Sequence, residues 1–149
     1  MKLDIVAIDY KIGHLDCIPG AARQLGKSKD HIAKSIESLV TAGNPIKTLL
    51  YAEMAIAIVG IFRVNDGTGE AIAIVSPDVK NYVFQFHRAC IKILEDLTKS
   101  MKLNRVQCTV KKDFMKGLKW ARALGFETEG LLKKYGPEGS DYFMLSRLS

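Results

Sequence analysis

The stretch Arg105–Leu148, RVQCTVKKDFMKGLKWARALGFETEGLLKKYGPEGSDYFMLSRL, decides the fold class. Val106, Cys108 and Val110 alternate onto one face, which predicts a strand over Arg105–Val110. A helix comes next, with Asp113 as candidate cap and Leu124 as its last residue. Gly125 stands where a left-handed residue ends a helix. Tyr135-Gly136-Pro137-Glu138-Gly139 is turn chemistry, so the end of the chain reads as a hairpin from about Glu129 to Leu148.

Upstream, Ser76-Pro77-Asp78 reads as a cap, a proline at the first helical position and an acid in the first turn. Val79, Val83, Phe86, Cys90, Ile93, Leu94 and Leu97 then keep helical spacing to about Lys99. Before it, Thr48–Ala52 and Met54–Val64 are β-rich and meet at Glu53, as in a hairpin. Asn65-Asp66-Gly67-Thr68-Gly69 turns the chain into a further strand, Ala71–Val75. Ile56–Ile61 is apolar at nearly every position, which suits a central strand covered on both faces. At the start, Lys2–Ile8 alternates as a strand with Leu3, Ile5 and Ala7 on one side, and Tyr10–Gly20 reads as loop. Ser28 caps a helix over Lys29–Ala42 with Ile32, Ile36, Leu39 and Val40 on its apolar face, stopped by Gly43 and Asn44-Pro45.

The order is β, helix, three β, helix, β, helix, two β. It predicts one α/β domain over residues 1–149, a mixed sheet flanked by helices. Arg105–Val110 should lie beside Ala71–Val75, joined by the helix Pro77–Lys99 as a right-handed crossover. Phe86, Cys90, Leu94, Val106, Cys108, Leu118 and Phe126 should be buried together.

The 149 residues are 48% apolar, enough for a real core, and 22 Lys and Arg exceed 16 Asp and Glu for a net charge of +6. That surplus favours an anionic ligand or an acidic protein face. No zinc spacing, RNP motif or basic zipper marks a nucleic-acid binder. Cys17, Cys90 and Cys108 are few, scattered and without a CxxC, and no apolar signal opens the chain. The expectation is free thiols in a cytoplasmic protein, and no run is long enough to span a membrane.

The order of elements, the Leu124-Gly125-Phe126 stop and Asn104-Arg105-Val106 resemble the GNAT superfamily of N-acetyltransferases over roughly residues 48–148. The resemblance implies a GNAT-like fold with acetyl-CoA as co-substrate. It puts Ile74, Val75 and Ser76 along the pantetheine, with Lys80 and Arg88 near the phosphates. It also implies a general base on a central strand, for which Glu53 and Glu70 are the candidates, although strand-end carboxylates in solvent look the same. Two departures stand out. The family's phosphate-binding glycines would fall near Gln85 and His87, yet no glycine occurs between Glu70 and Leu103. The family's Asn and its proton-donating Tyr fall at Phe114 and Ala121.

Val75-Ser76-Pro77-Asp78-Val79 and Gly125-Phe126-Glu127-Thr128-Glu129-Gly130 are similar to the acetyltransferase-like proteins of T7-like tailed phages. That resemblance implies a phage-encoded protein with a degenerate acetyl-CoA site. It would bind a phage or host protein partner, in virion assembly or in the host cytoplasm. The alternative is an acyl-CoA-dependent N-acetyltransferase with a non-standard pyrophosphate loop. His14, Asp16 and Cys17 are the one tight cluster of chemically capable side chains, a candidate nucleophile site or a chance neighbourhood. The histidines 14, 31 and 87 have no ligand spacing, so no metal is expected.

Overall fold

The computed structural model describes residues 4–18, 20 and 28–149. Seven strands form one mixed sheet in the order β1-β2-β3-β4-β5-β7-β6. The strands are β1 (Val6–Asp9), β2 (Ile46–Tyr51), β3 (Met54–Asn65), β4 (Thr68–Val75), β5 (Arg105–Lys111), β6 (Glu127–Leu132) and β7 (Tyr142–Leu148). Every neighbouring pair is antiparallel except β4 and β5. Among the described residues, three α-helices flank the sheet: α1 (Lys29–Thr41), α2 (Val83–Ser100) and α3 (Met115–Ala123).

The alternation of β3 sets the layers. Ile58 packs with Ile46 and Ile74 under α1, against Ile32 and Ile36. Ala57, Val59 and Ile61 turn to the other face, under α2 and α3. A strand enclosed on both sides must be apolar throughout, and that is the composition read over Ile56–Ile61.

Most boundaries agree with the sequence. Ser28 Oγ accepts from the His31 N–H at the start of α1. Gly43 and Gly125 hold φ of +90° and +97°, the left-handed conformation that ends a helix cheaply only in glycine. Gly136 and Gly139 lie in the turn joining β6 to β7. The β2–β3 turn is made by Ala52 and Glu53, both at positive φ.

Several expectations are corrected. The helix placed over Pro77–Lys99 is two elements: Ser76 caps a 3-10 turn, Pro77–Asn81, and Tyr82 at φ −147° interrupts before α2 starts at Val83. As expected, β4 lies parallel beside β5, but the ladder is short and joins only Thr68–Glu70 to Arg105–Gln107. Val40 and Val83 are exposed. Phe114, not Asp113, occupies the N-cap of α3 and makes no side-chain cap. The foreseen core divides in two: Phe86 and Cys90 pack under the β2–β3 side, whereas Leu94, Val106, Leu118 and Phe126 pack with Leu145, and Cys108 is only half-buried beside them. The first strand starts at Val6 as a sheet edge with Ala7 exposed, and Lys2 and Leu3 lie outside the described residues.

Candidate functional site

The site is the place where β4 and β5 part. Their closed end is drawn together by the Gly67 carbonyl, which accepts from the N–H groups of Asn104 (2.8 Å) and Arg105 (3.1 Å). Gly69 permits this closeness: a Cβ there would stand 2.5 Å from Ile61 Cγ2 and 2.7 Å from Leu103 Cδ1. After Glu70–Gln107 the ladder stops. Each strand keeps its outer neighbour, β3 for β4 and β7 for β5, so parting gives up few bonds.

The Ser76 N–H donates to Ile56 O at 2.8 Å. The antiparallel pattern then directs residues 70, 72 and 74 to β3 and turns the main chain of Ala71, Ala73 and Val75 toward β5. Past the fork, the N–H and C=O of Ala73 look into the gap.

Below the gap lies a cavity of about 680 Å³ between α2 and α3, walled by Ala71, Leu94, Cys108, Gly117, Trp120 and Ala121 among others. That volume is within the range of small-molecule sites, about 300–1,000 Å³. Burial raises the thiol pKa of Cys90 and of Cys108 to about 12, so both wall thiols stay protonated and apolar at neutral pH. The Trp120 ring stacks on Phe86, and its buried Nε1–H has no partner among the described residues.

On the opposite face a polar chain crosses the fork. Glu70 Oε1 accepts from Gln107 Nε2 (3.2 Å), and Gln107 Oε1 accepts from Arg105 Nε (3.0 Å). Both guanidinium termini of Arg105 donate to Glu129 on β6, one at 2.9 Å. That pairing holds the Glu129 carboxyl below its ordinary value and raises Arg105. Gln107 and Arg105 were not among the residues expected from the sequence. Their signal was available, since positions 105 and 107 lie on the polar phase of an alternating strand.

The expected residues scatter. Glu70 stands at the fork, while Glu53 sits exposed on the β2–β3 turn beyond the open end. The Ile74 side chain is buried on the α1 face. Ser76 is buried, its Oγ accepting from the Asp78 N–H. Val75 packs toward Tyr82 and Phe86. Lys80 and Arg88 are exposed and form no ion pair among the described residues. Because α2 starts at Val83, the residues of its first turn are Val83, Phe84 and Gln85, not Gln85 and His87. That turn carries no acid and no side-chain cap. Phe114 and Ala121 both line the cavity.

The His14 cluster does not assemble. His14 Nδ1 accepts from the Lys11 N–H (3.1 Å) and lies 2.7 Å from Thr48 Oγ1, Asp16 pairs with Lys29, and Cys17 Sγ faces the Gly13 carbonyl. No group of side chains suited to a metal ion occurs among the described residues, and no helix there is long and apolar enough to cross a membrane.

The fold as a whole superposes over nearly its full length on solved acetyltransferases. The chain has the GNAT acetyltransferase fold. Ard1 from Thermoplasma volcanium superposes with a TM-score of 0.81 at 10% identity, over 97% of either chain. A GNAT family acetyltransferase from Elizabethkingia anophelis with acetyl-CoA bound gives 0.74 at 14%, over 98% of this chain and 99% of that one. The ribosomal-protein-S5-alanine acetyltransferase of Vibrio fischeri gives 0.74 at 16%, over 99% and 94%. No protein-family model matches the sequence, and no curated protein matches it. The GNAT likeness is therefore carried by geometry, as expected from the order of elements.

Proposed function

We propose that this GNAT-fold protein transfers an acyl group from a pantetheine thioester, such as acetyl-CoA, to an amine. The observation that carries the reading is the β4–β5 fork opening onto an apolar cavity of about 680 Å³. A pantetheine arm is narrow and largely apolar, with two amides. The fork offers it the main chain of Ala73, which the β4–β5 ladder leaves unpaired, and the ring of Trp120 in the cavity wall. The arm fits. The nucleotide end of coenzyme A fits less well, because Val83 and Phe84 bring side chains to the helix start where main chain and phosphate would need to meet.

The acyl carbonyl would lie at the fork, and the amine would approach from the Glu70 face. The amine nitrogen bonds to the carbonyl carbon, its proton passes to Glu70, the C–S bond breaks, and the leaving thiolate takes a proton from water. Ala121 stands where the family resemblance places a tyrosine donor, so solvent supplies that proton. Gln107, held by Arg105, keeps the Glu70 carboxylate aimed at the fork.

A second reading keeps the fold as a scaffold that binds a phage or host protein, with the coenzyme site degenerate. The bulky first turn of α2 and the absence of a tyrosine at Ala121 favour it. One experiment separates the two. Ligand at 100 times its dissociation constant stabilises a protein by about 2.7 kcal/mol, a rise in melting temperature of roughly 5–11 °C at this size. Such a shift with acetyl-pantetheine or acetyl-CoA, abolished by Ala121→Trp, supports transfer. No shift at millimolar concentration of either sinks it.

A further inference from the structure

We propose that the open end of the fork is a docking surface for an acidic carrier protein, which presents the acyl group on a phosphopantetheine arm. This deepens the acyl-transfer reading and rests on it. Because β4 and β5 are parallel, the segments leaving them arrive at the same rim: the 3-10 turn and start of α2 after β4, the start of α3 after β5.

That rim is apolar at its centre. Phe84 is 83% exposed, Phe114 55%, and Val83 and Met115 are each about half exposed. Phe114 also lines the cavity, so the patch runs into the mouth. Scattered exposed apolar residues need no explanation, but four at the starts of two helices that leave the same end of the sheet are apolar surface of the kind that proteins bury against a partner.

Around it stand Lys80, Arg88, Lys111, Lys112 and Lys116, all exposed and without ion pairs among the described residues. Carboxylates stand at that end too, among them Glu53, Asp78, Asp113 and Asp141, whose carbonyl accepts from the Lys112 N–H. A charged nucleotide would find lysines there, but it would also have to lie on Phe84 and Phe114. An acidic protein face satisfies both features. Its apolar residues cover the patch, its carboxylates meet the ring, and its arm enters the cavity with a single phosphate that stays at the rim. No glycine is then needed at Val83 or Phe84. The apolar centre with a charged, wet margin is the usual anatomy of a protein interface, and the charge surplus speeds encounter at low salt.

The probes are acetyl-loaded acyl carrier protein in its holo form, acetyl-CoA and acetyl-pantetheine, each titrated at low salt and at about 0.5 M salt, where charge screening is strong. The expected result is tighter binding of the loaded carrier than of acetyl-CoA, weakened at high salt. Phe84→Ser and the Lys112→Glu/Lys116→Glu pair should weaken the carrier tenfold or more, while acetyl-pantetheine changes less than twofold. These side chains are exposed and outside the cavity wall, and an unchanged melting temperature confirms that the variants fold. If acetyl-pantetheine binds but the carrier binds no better than acetyl-CoA, or the variants leave it unaffected, the docking surface is refuted and the cleft reading stands. If none of the three probes binds, both fall.

Discussion

Leu94 and Leu145 belong to one buried cluster, yet replacing each with alanine should have unequal costs. Leu94 on α2 is 7% exposed and forms part of the cavity wall, whereas Leu145 on β7 is fully enclosed and lies behind that wall. Leucine-to-alanine changes in cores cost about 2–5 kcal/mol, a transfer part near 2 plus about 24 cal/mol for each Å³ of void left behind. At Leu145 the lost atoms leave a closed void of roughly 60–80 Å³, which adds about 1.5–2 kcal/mol to give about 4. At Leu94 the new space merges with a cleft that already exists, so little void is created and the cost should stay near 2 kcal/mol. At roughly 2–4 °C per kcal/mol for this size, Leu94→Ala should melt about 4–8 °C lower and Leu145→Ala about 8–16 °C lower. Scanning calorimetry and urea titration of both variants, with exposed Lys99→Ala as a near-neutral reference, measure the difference. If Leu94→Ala costs as much as Leu145→Ala, the space beside it is closed in solution and the cleft is not a binding site.

Three further outcomes are expected. Glu70→Gln should retain the fold and lower transfer about 10²–10⁴-fold, the usual range for a lost general base, while Gln107→Leu should lower it less and shift the pH profile of kcat; equal rates for wild type and Glu70→Gln would remove Glu70 from the mechanism. Of the three free cysteines, Cys17 should react with a disulfide reagent at about pH 8 and the two wall thiols should not. Their folded pKa is raised from 9.0 to about 12, so their contribution to stability is intact below pH 9 and declines as pH rises from there toward 12; an alkaline limb unchanged in Cys90→Ala would contradict this. Glu129 has the opposite sign: its folded value lies below 4.5, so the Arg105 pair stabilises above that pH and is lost as acid is added, and Glu129→Gln should erase that part of the acid sensitivity.

The elements were legible because their causes are local. Alternation at Val106, Cys108 and Val110, the Ser28 cap, and the left-handed glycines 43 and 125 each act within a few residues, and each is where it was read. The order of those elements was enough for a mixed α/β sheet of GNAT type. The break at Tyr82 was not legible, since a 3-10 turn leading into a helix keeps nearly the periodicity of one helix and Val79 and Phe86 are buried in either case. Nor was the fork. Whether β4 stays with β5 past Glu70 depends on which outer neighbour each strand keeps, a long-range competition that no single strand records. The same holds for the site. Glu70 could be named as a carboxylate on a central strand, but its link to Gln107, Arg105 and Glu129 spans four strands brought together from residues 59 apart in the chain. Composition set the surplus of positive charge; the parallel crossing of two strands decided that five of those cations and four apolar side chains share one rim.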